Sequence, residues 1–186
     1  MNFIYAVILS TGLALCLFGT ISKVGATQAT LSKKKIFGIT TVYALFQILM
    51  VGIGILIAYM VEKVFSLDSI SKVTRIFAIA LLVIIIYRIL REVFCGKIFL
   101  EKRAEELNNT SSILLSLKSS FEAIVVGICV FELNKDTVVD LILVIILTIS
   151  ASLLGFWYGY FCGTKGNRAV MTCSAVFLTV SAVLLL

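Results

Sequence analysis

Two ionisable side chains lie four residues apart inside an apolar stretch that is long enough to cross a membrane. The segment reads LSLKSSFEA at 115–123 and places Lys118 and Glu122 on one face of a helix. An ionised side chain at the centre of a bilayer helix costs about 2.5–3.5 kcal/mol on insertion scales. Glu122 therefore needs a partner, a proton or a bound cation, and the chemistry to expect is cation binding or a buried ion pair.

Lys118 is the nearest candidate partner for Glu122. Lysine four residues before glutamate is the less favourable order, and even well-oriented pairs contribute only about 0.2–0.5 kcal/mol to an isolated helix. Reinforcement of one helix therefore does not explain the pair. Two interpretations stay open, a static ion pair that fixes helix register and a polar pair that lines a substrate path.

A weak internal alignment predicts further members of this path. Placing LALCLFGT (13–20) over SSFEAIVV (119–126) sets Cys16 opposite Glu122. Gln47 and Ser150 each precede a glycine, Gly52 or Gly155, by five residues. Cys16 is either a soft metal ligand or a small apolar residue. Gln47 either offers a carbonyl oxygen to a cation or forms a hydrogen bond across helices.

A second charged pair lies near the predicted inner end of the third helix. Arg88 and Glu92, in YRILREVFCG, are four residues apart. At a membrane boundary such a pair serves as a gate or anchor, or it is a surface pair whose long side chains reach the interface.

The elements that must position these residues are membrane helices. The chain has 186 residues, of which 61% are hydrophobic and 14% charged, a composition typical of a polytopic membrane protein. Continuous apolar windows of the length that spans a bilayer predict six transmembrane helices. These windows cover residues 3–22, 36–61, 76–94, 112–132, 140–162 and 169–186.

The distribution of basic residues predicts how the chain crosses the membrane. Eleven lysines and arginines fall in or beside the 1–2, 3–4 and 5–6 loops, and four fall on the opposite side. The positive-inside rule then places both termini outside the cytoplasm. The polar stretch at 97–111 is a predicted cytoplasmic linker between two three-helix halves, 1–96 and 112–186. Three helices in each half give inverted repeats, as in many transporters.

Several classes of function are disfavoured by the composition. The net charge of +6 is explained by the basic loops, so no nucleic-acid partner is predicted; the partner is the lipid bilayer. Five cysteines without a CxxC pair, in a chain that has no histidine, do not support a zinc finger or a disulfide framework. No catalytic constellation is present, and we do not predict an enzyme.

Glycines in the second and fifth helices predict close helix packing. Gly155, Gly159 and Gly163 repeat every four residues in GFWYGYFCG and share one helix face. Small residues let membrane helices approach closely. Gly52 and Gly54, in the second helix, have the same predicted role.

These residues together resemble the MntP-type manganese efflux proteins of bacteria, which are small LysE-like exporters. The first helix resembles the family's motif in its spacing, in TGLALCLFG…SKVGAT, and it has Cys16 where the family has an intramembrane aspartate. In the second helix Gln47 takes the position of a family glutamate, in FQILMVGIG. In the fourth helix Glu122 takes the position of the aspartate of a second family motif, in SFEAIVVG. The third helix matches R-x-x-x-E-x-F-x-G from Arg88 through Glu92 to Gly96.

The resemblance implies efflux of a divalent cation of the Mn²⁺ type through an altered site in a bacterial cytoplasmic membrane. Glu122, Gln47 and Cys16 would be the metal ligands, Ser150 an oxygen donor and Lys118 a gate or competitor. No resident cofactor is implied, only a transported cation, and ligation by Cys16 would favour softer ions. A membrane scaffold or partner subunit of the same fold, and an exporter of a small organic solute, are the alternative functions; a homodimer stays open.

Overall fold

The computed structural model describes residues 2–27, 33–64, 70–95, 120–131, 137–164 and 166–185. Within these ranges every regular element is an α-helix, which confirms the predicted all-α class. The predicted linker at 97–111 and Lys118 lie outside the described residues. The helices are α1 (Asn2–Thr27), α2 (Lys33–Val64), α3 (Ile70–Cys95), α4 (Ser120–Phe131), α5 (Thr137–Cys162) and α6 (Asn167–Leu185).

Four of the described helices contain a segment that is long and apolar enough to cross a membrane. These segments are Ile4–Ala26, Ile36–Lys63, Val139–Cys162 and Asn167–Leu185. At about 1.5 Å per residue, even the shortest, with 19 residues, approaches the ~30 Å of the hydrocarbon core. The chain is therefore a polytopic membrane protein.

The outward faces of the helices carry large apolar side chains. Leu45 on α2 is 54% exposed, Ile84 on α3 is 60% exposed and Leu154 on α5 is 63% exposed. A surface of this kind is incompatible with water but is the surface that lipid chains require.

The helices can be long and regular because nothing in their sequence interrupts the backbone ladder. The chain contains no proline, so no helical N–H group is missing. Hydroxyl groups inside the helices donate to the carbonyl one turn earlier, as in Thr11 to Val7 (2.6 Å) and Ser152 to Thr148 (2.7 Å). The polar atoms of these two hydroxyl groups are thus satisfied without water.

Helix α1 holds the described bundle together by packing against both α5 and α6. Its contact with α5 depends on glycine. A Cβ atom added to Gly155 would lie 2.8 Å from the carbonyl oxygen of Phe18, and one added to Gly159 would overlap the backbone of Ser22. Two of the glycines predicted to pack closely therefore lie where backbone meets backbone.

A second close contact of this kind joins α2 and α4. A Cβ atom added to Gly54 would overlap the carbonyl oxygen of Ile124, and one added to Gly127 would overlap that of Val51. Gly52, the other glycine predicted to pack closely in α2, has no atom of the described residues within 4 Å of an added Cβ. The close approach uses Gly54, two residues later.

Gly163 has a different role from the two glycines that precede it at the same spacing. Its φ of 65° lies in the left-handed region that glycine adopts without strain. Its N–H donates to the carbonyl of Gly159 (2.9 Å). This glycine therefore ends α5 in the manner of a helix C-cap.

The glycine contact between α1 and α5 makes a testable prediction. Gly159→Ala should destabilise the protein by about 1–3 kcal/mol, because the added methyl group meets backbone that has no rotamer to change. Thermal unfolding of the purified protein in detergent measures the effect. Gly52→Ala is the matched control and should leave the midpoint unchanged; equal effects of the two substitutions would contradict the packing assignment.

Candidate cation site

The centre of the candidate site is a direct contact between Cys16 on α1 and Glu122 on α4. The Cys16 thiol donates to Oε2 of Glu122 across 2.7 Å. Both side chains are buried, at 5% and 8% exposure. The internal alignment paired these residues as equivalent positions, and the structure brings their side chains into contact.

Local sequence explains why α1 can deliver Cys16 to this position. Gly12 and Gly19 lie one turn on either side of Cys16, and both contact α6. A Cβ atom on Gly12 would be 3.1 Å from Leu178, and one on Gly19 would be 2.9 Å from Met171. These glycines therefore let α1 lie close against α6.

A hydrogen bond fixes the register between α1 and α6. The Ser174 hydroxyl donates to the carbonyl of Gly12 (2.7 Å). Gly12 lies opposite Leu178 and Gly19 opposite Met171, so the two helices run antiparallel. The same register sets Lys23, one turn beyond Gly19, level with Asn167.

Charged side chains on α1 and α3 act electrostatically on the buried carboxyl. The charges of Arg88, Glu92 and Lys23 act on Glu122. Lys118, the partner that the sequence predicted, lies outside the described residues. Among the described residues, the electrostatic environment of Glu122 is therefore set by α1 and α3.

Lys23 and Glu92 form an ion pair between α1 and α3. The Lys23 ammonium also lies 4.0 Å from the Met171 sulfur atom on α6. Arg88 and Glu92 were predicted as a gate or anchor on one helix; both are exposed, and the described ion-pair partner of Glu92 is Lys23. The sequence indicated Lys23 only as a loop charge, although this lysine follows Cys16 by seven residues and so shares its helix face.

The two predicted oxygen donors differ in their surroundings. Gln47 is 1% exposed, and its Oε1 atom has no hydrogen-bond donor among the described residues. Ser150 is half-buried, and its hydroxyl donates to the carbonyl of Leu147 (2.9 Å). The Gln47 Oε1 atom can therefore coordinate a cation, whereas the Ser150 hydroxyl is already hydrogen-bonded to its own helix.

The donor set is small for a metal centre. No group of three or more histidine, cysteine, aspartate or glutamate side chains that could hold a metal lies within the described ranges. Cys16 and Glu122 contribute one thiol and one carboxyl in direct contact. One soft and one hard donor favour a cation of borderline softness over a hard one.

Comparison with known proteins identifies a family. A family model described as "Putative manganese efflux pump" (Mntp) matches residues 30–186, well over half of the chain. The matched region contains Glu122 and Glu92, whereas α1 with Cys16 and Lys23 precedes it. No curated protein and no solved structure shows significant similarity to the chain.

The contact between Cys16 and Glu122 makes a testable prediction about stability. Cys16→Ala should destabilise the protein by about 1–3 kcal/mol, because it removes a donor from a buried carboxyl. Cys16→Ser keeps a donor at the same position and should lose less. Thermal unfolding in detergent compares the two variants, and an alanine variant as stable as wild type would show that the hydrogen bond contributes nothing.

Proposed function

Because the chain belongs to the MntP family, we propose that it exports a divalent metal cation across a bacterial cytoplasmic membrane. One observation carries the proposal: the buried Glu122 carboxyl lies against a thiol from another helix. A carboxyl group inside a membrane is costly unless it has a function or a partner. In a family of efflux pumps, the function that fits is ligation of the transported cation.

The donors available to that cation favour a softer ion than the Mn²⁺ of the family description. Cys16 supplies sulfur and Glu122 supplies oxygen, and Gln47 adds a buried carbonyl oxygen that accepts no hydrogen bond from the described residues. Thiolate ligands select ions such as Zn²⁺ and Cd²⁺, whereas oxygen-only sites suit Mn²⁺. Cd²⁺ and Zn²⁺ are therefore the first substrates to test beside Mn²⁺.

The proposed mechanism is alternating access between two inverted three-helix halves, with six membrane spans and both termini outside. Under such symmetry α4 corresponds to α1 and α5 to α2, so a contact between α1 and α5 has its counterpart between α4 and α2. Phe18 on α1 meets Gly155 on α5, and Ile124 on α4 meets Gly54 on α2. Cys16 and Glu122 then lie at equivalent positions, where the two halves meet.

The burial pattern supports the same correspondence between α2 and α5. With residues 101 positions apart aligned, Tyr43 and Val144 are both buried, as are Gly54 and Gly155. This register pairs Gln47, 1% exposed, with Thr148, also 1% exposed. Thr148 therefore takes the place opposite Gln47 that the sequence alignment gave to Ser150.

A non-transporting scaffold of the same fold is the second candidate, and the small donor set favours it. With one carboxyl that already accepts a hydrogen bond, the Cys16–Glu122 contact can serve as a structural lock between α1 and α4. A scaffold would tolerate Glu122→Gln without loss of its function, whereas an exporter would not.

Metal accumulation in an exporter-deficient bacterium tests the proposal. Cells expressing the chain should hold less Cd²⁺, Zn²⁺ or Mn²⁺ than cells with an empty vector, and Glu122→Gln should abolish the difference. Glu62→Gln, at an exposed position near the end of α2, is the matched control and should export normally. If well-expressed wild-type protein lowers none of these ions, the exporter proposal fails and the scaffold becomes the better account.

A second substitution tests the basis of selectivity. Cys16→Asp replaces the sulfur donor by a carboxylate, so export should shift toward Mn²⁺ relative to Cd²⁺ by about tenfold, since hard ligands favour hard ions. The ratio of the two accumulated metals, measured in the same cells, reports the change independently of expression level. An unchanged ratio would mean that Cys16 does not contact the cation.

A further inference from the structure

We propose that the predicted cytoplasmic ends of α1, α3 and α6 form a cation-entry site whose present occupant is the Lys23 ammonium. Glu92, Asn167 and Met171 supply the donors of this site, and an incoming divalent cation displaces the ammonium from them. The inference deepens the proposed function and rests on it for the direction of transport. The binding site itself is argued from the contacts of Lys23.

The Lys23 ammonium occupies the position that a cation would take. It pairs with Oε1 of Glu92 on α3 and lies 4.0 Å from the Met171 sulfur atom on α6. The Lys23 side chain is 22% exposed and that of Glu92 is 48% exposed, so the pair lies at the margin of the bundle where an ion can reach it. The ammonium is a compact point charge on a flexible stem, and it can swing away without moving a helix.

A buried oxygen without a described donor lies against Gly19, one helical turn from Lys23. Asn167 is 5% exposed, and its Oδ1 atom has no hydrogen-bond donor among the described residues. It lies 2.7 Å from the position of a Cβ atom built on Gly19, one turn from Lys23. A buried amide oxygen is costly to leave unpaired, and a bound cation would satisfy it.

The three donors suit a divalent cation. Glu92 brings a carboxylate, Asn167 an amide oxygen and Met171 a thioether sulfur. Carboxylate and amide oxygens bind hard and borderline cations, and the thioether adds affinity for softer ones. The entry site therefore combines oxygen and sulfur, as the Cys16–Glu122 pair does.

The entry site is positioned to pass its ion to the buried pair. Lys23 follows Cys16 by seven residues, which places both on one face of α1 about 10 Å apart along the helix axis. The charges of Lys23 and Glu92 act on both Cys16 and Glu122. A cation that replaced Lys23 at Glu92 would thus be two helical turns from Cys16.

Cd²⁺ binding to the purified full-length protein in detergent tests the site by calorimetry. Lys23→Gln should bind Cd²⁺ about tenfold more tightly than wild type, since it removes a competing charge from Glu92. The double variant Lys23→Gln/Glu92→Gln should lose that gain. Arg91→Gln, which removes an exposed cation from the neighbouring position on α3, is the matched control and should bind like wild type.

Two results would overturn the inference. One is a folded Lys23→Gln variant with wild-type Cd²⁺ affinity, and the other is a gain that persists after Glu92 is neutralised. Lys23→Met, which keeps an unbranched apolar stem, repeats the test if the glutamine variant does not fold. Calorimetry measures binding without transport. If Lys23→Gln binds Cd²⁺ more tightly but the chain exports no metal, the proposed function is contradicted and the cation site is still supported.

Discussion

The structure depends on the cost of holding a carboxyl group inside a membrane. Glu122 is 8% exposed and lies in a helix that offers it no water, so its polar atoms must be met by other parts of the chain. The Cys16 thiol meets one oxygen directly. This hydrogen bond joins α1 to α4 and is one of the contacts that connect the first half of the chain with the second.

The same requirement shapes the rest of α1. A helix that must approach both α4 and α6 has little room for side chains, and Gly12 and Gly19 supply that room one turn on either side of Cys16. One turn further, where the bundle reaches its margin, the chain can again carry a long charged side chain, Lys23. Along this face of α1, the glycines that permit close packing therefore lie in the interior of the bundle, and the charged Lys23 lies at its margin.

The large features of the molecule were predictable from sequence because they depend on composition. Continuous apolar windows predicted six membrane helices, and four of the described helices, α1, α2, α5 and α6, are long and apolar enough to cross a membrane. The resemblance to the MntP family, made from short motifs, is confirmed by the family match over residues 30–186. An alignment of eight residues paired Cys16 with Glu122 as equivalent positions, but it did not predict that their side chains are in contact.

The finer partnerships were not predictable, since they depend on how helices rotate about their axes. Glu92 was assigned to Arg88 on its own helix because i, i+4 spacing is visible in sequence, whereas its contact with Lys23 joins helices that are distant along the chain. Gly52 and Gly54 were indistinguishable until the rotation of α2 was known. Ser150 and Thr148 differ by two positions, which is enough to turn one of them away from the burial pattern that Gln47 follows.

The two glycine contacts have a mechanical consequence. Where backbone touches backbone, at Gly159 against Ser22 and at Gly54 against Ile124, no side chain can change rotamer to absorb a displacement. Helices α1 and α5 therefore form one stiff pair, and α2 and α4 form another, each with a member from either half of the chain. Relative motion between the two pairs would have to break the hydrogen bond from Cys16 to Glu122 and shift the packing of α2 against α5.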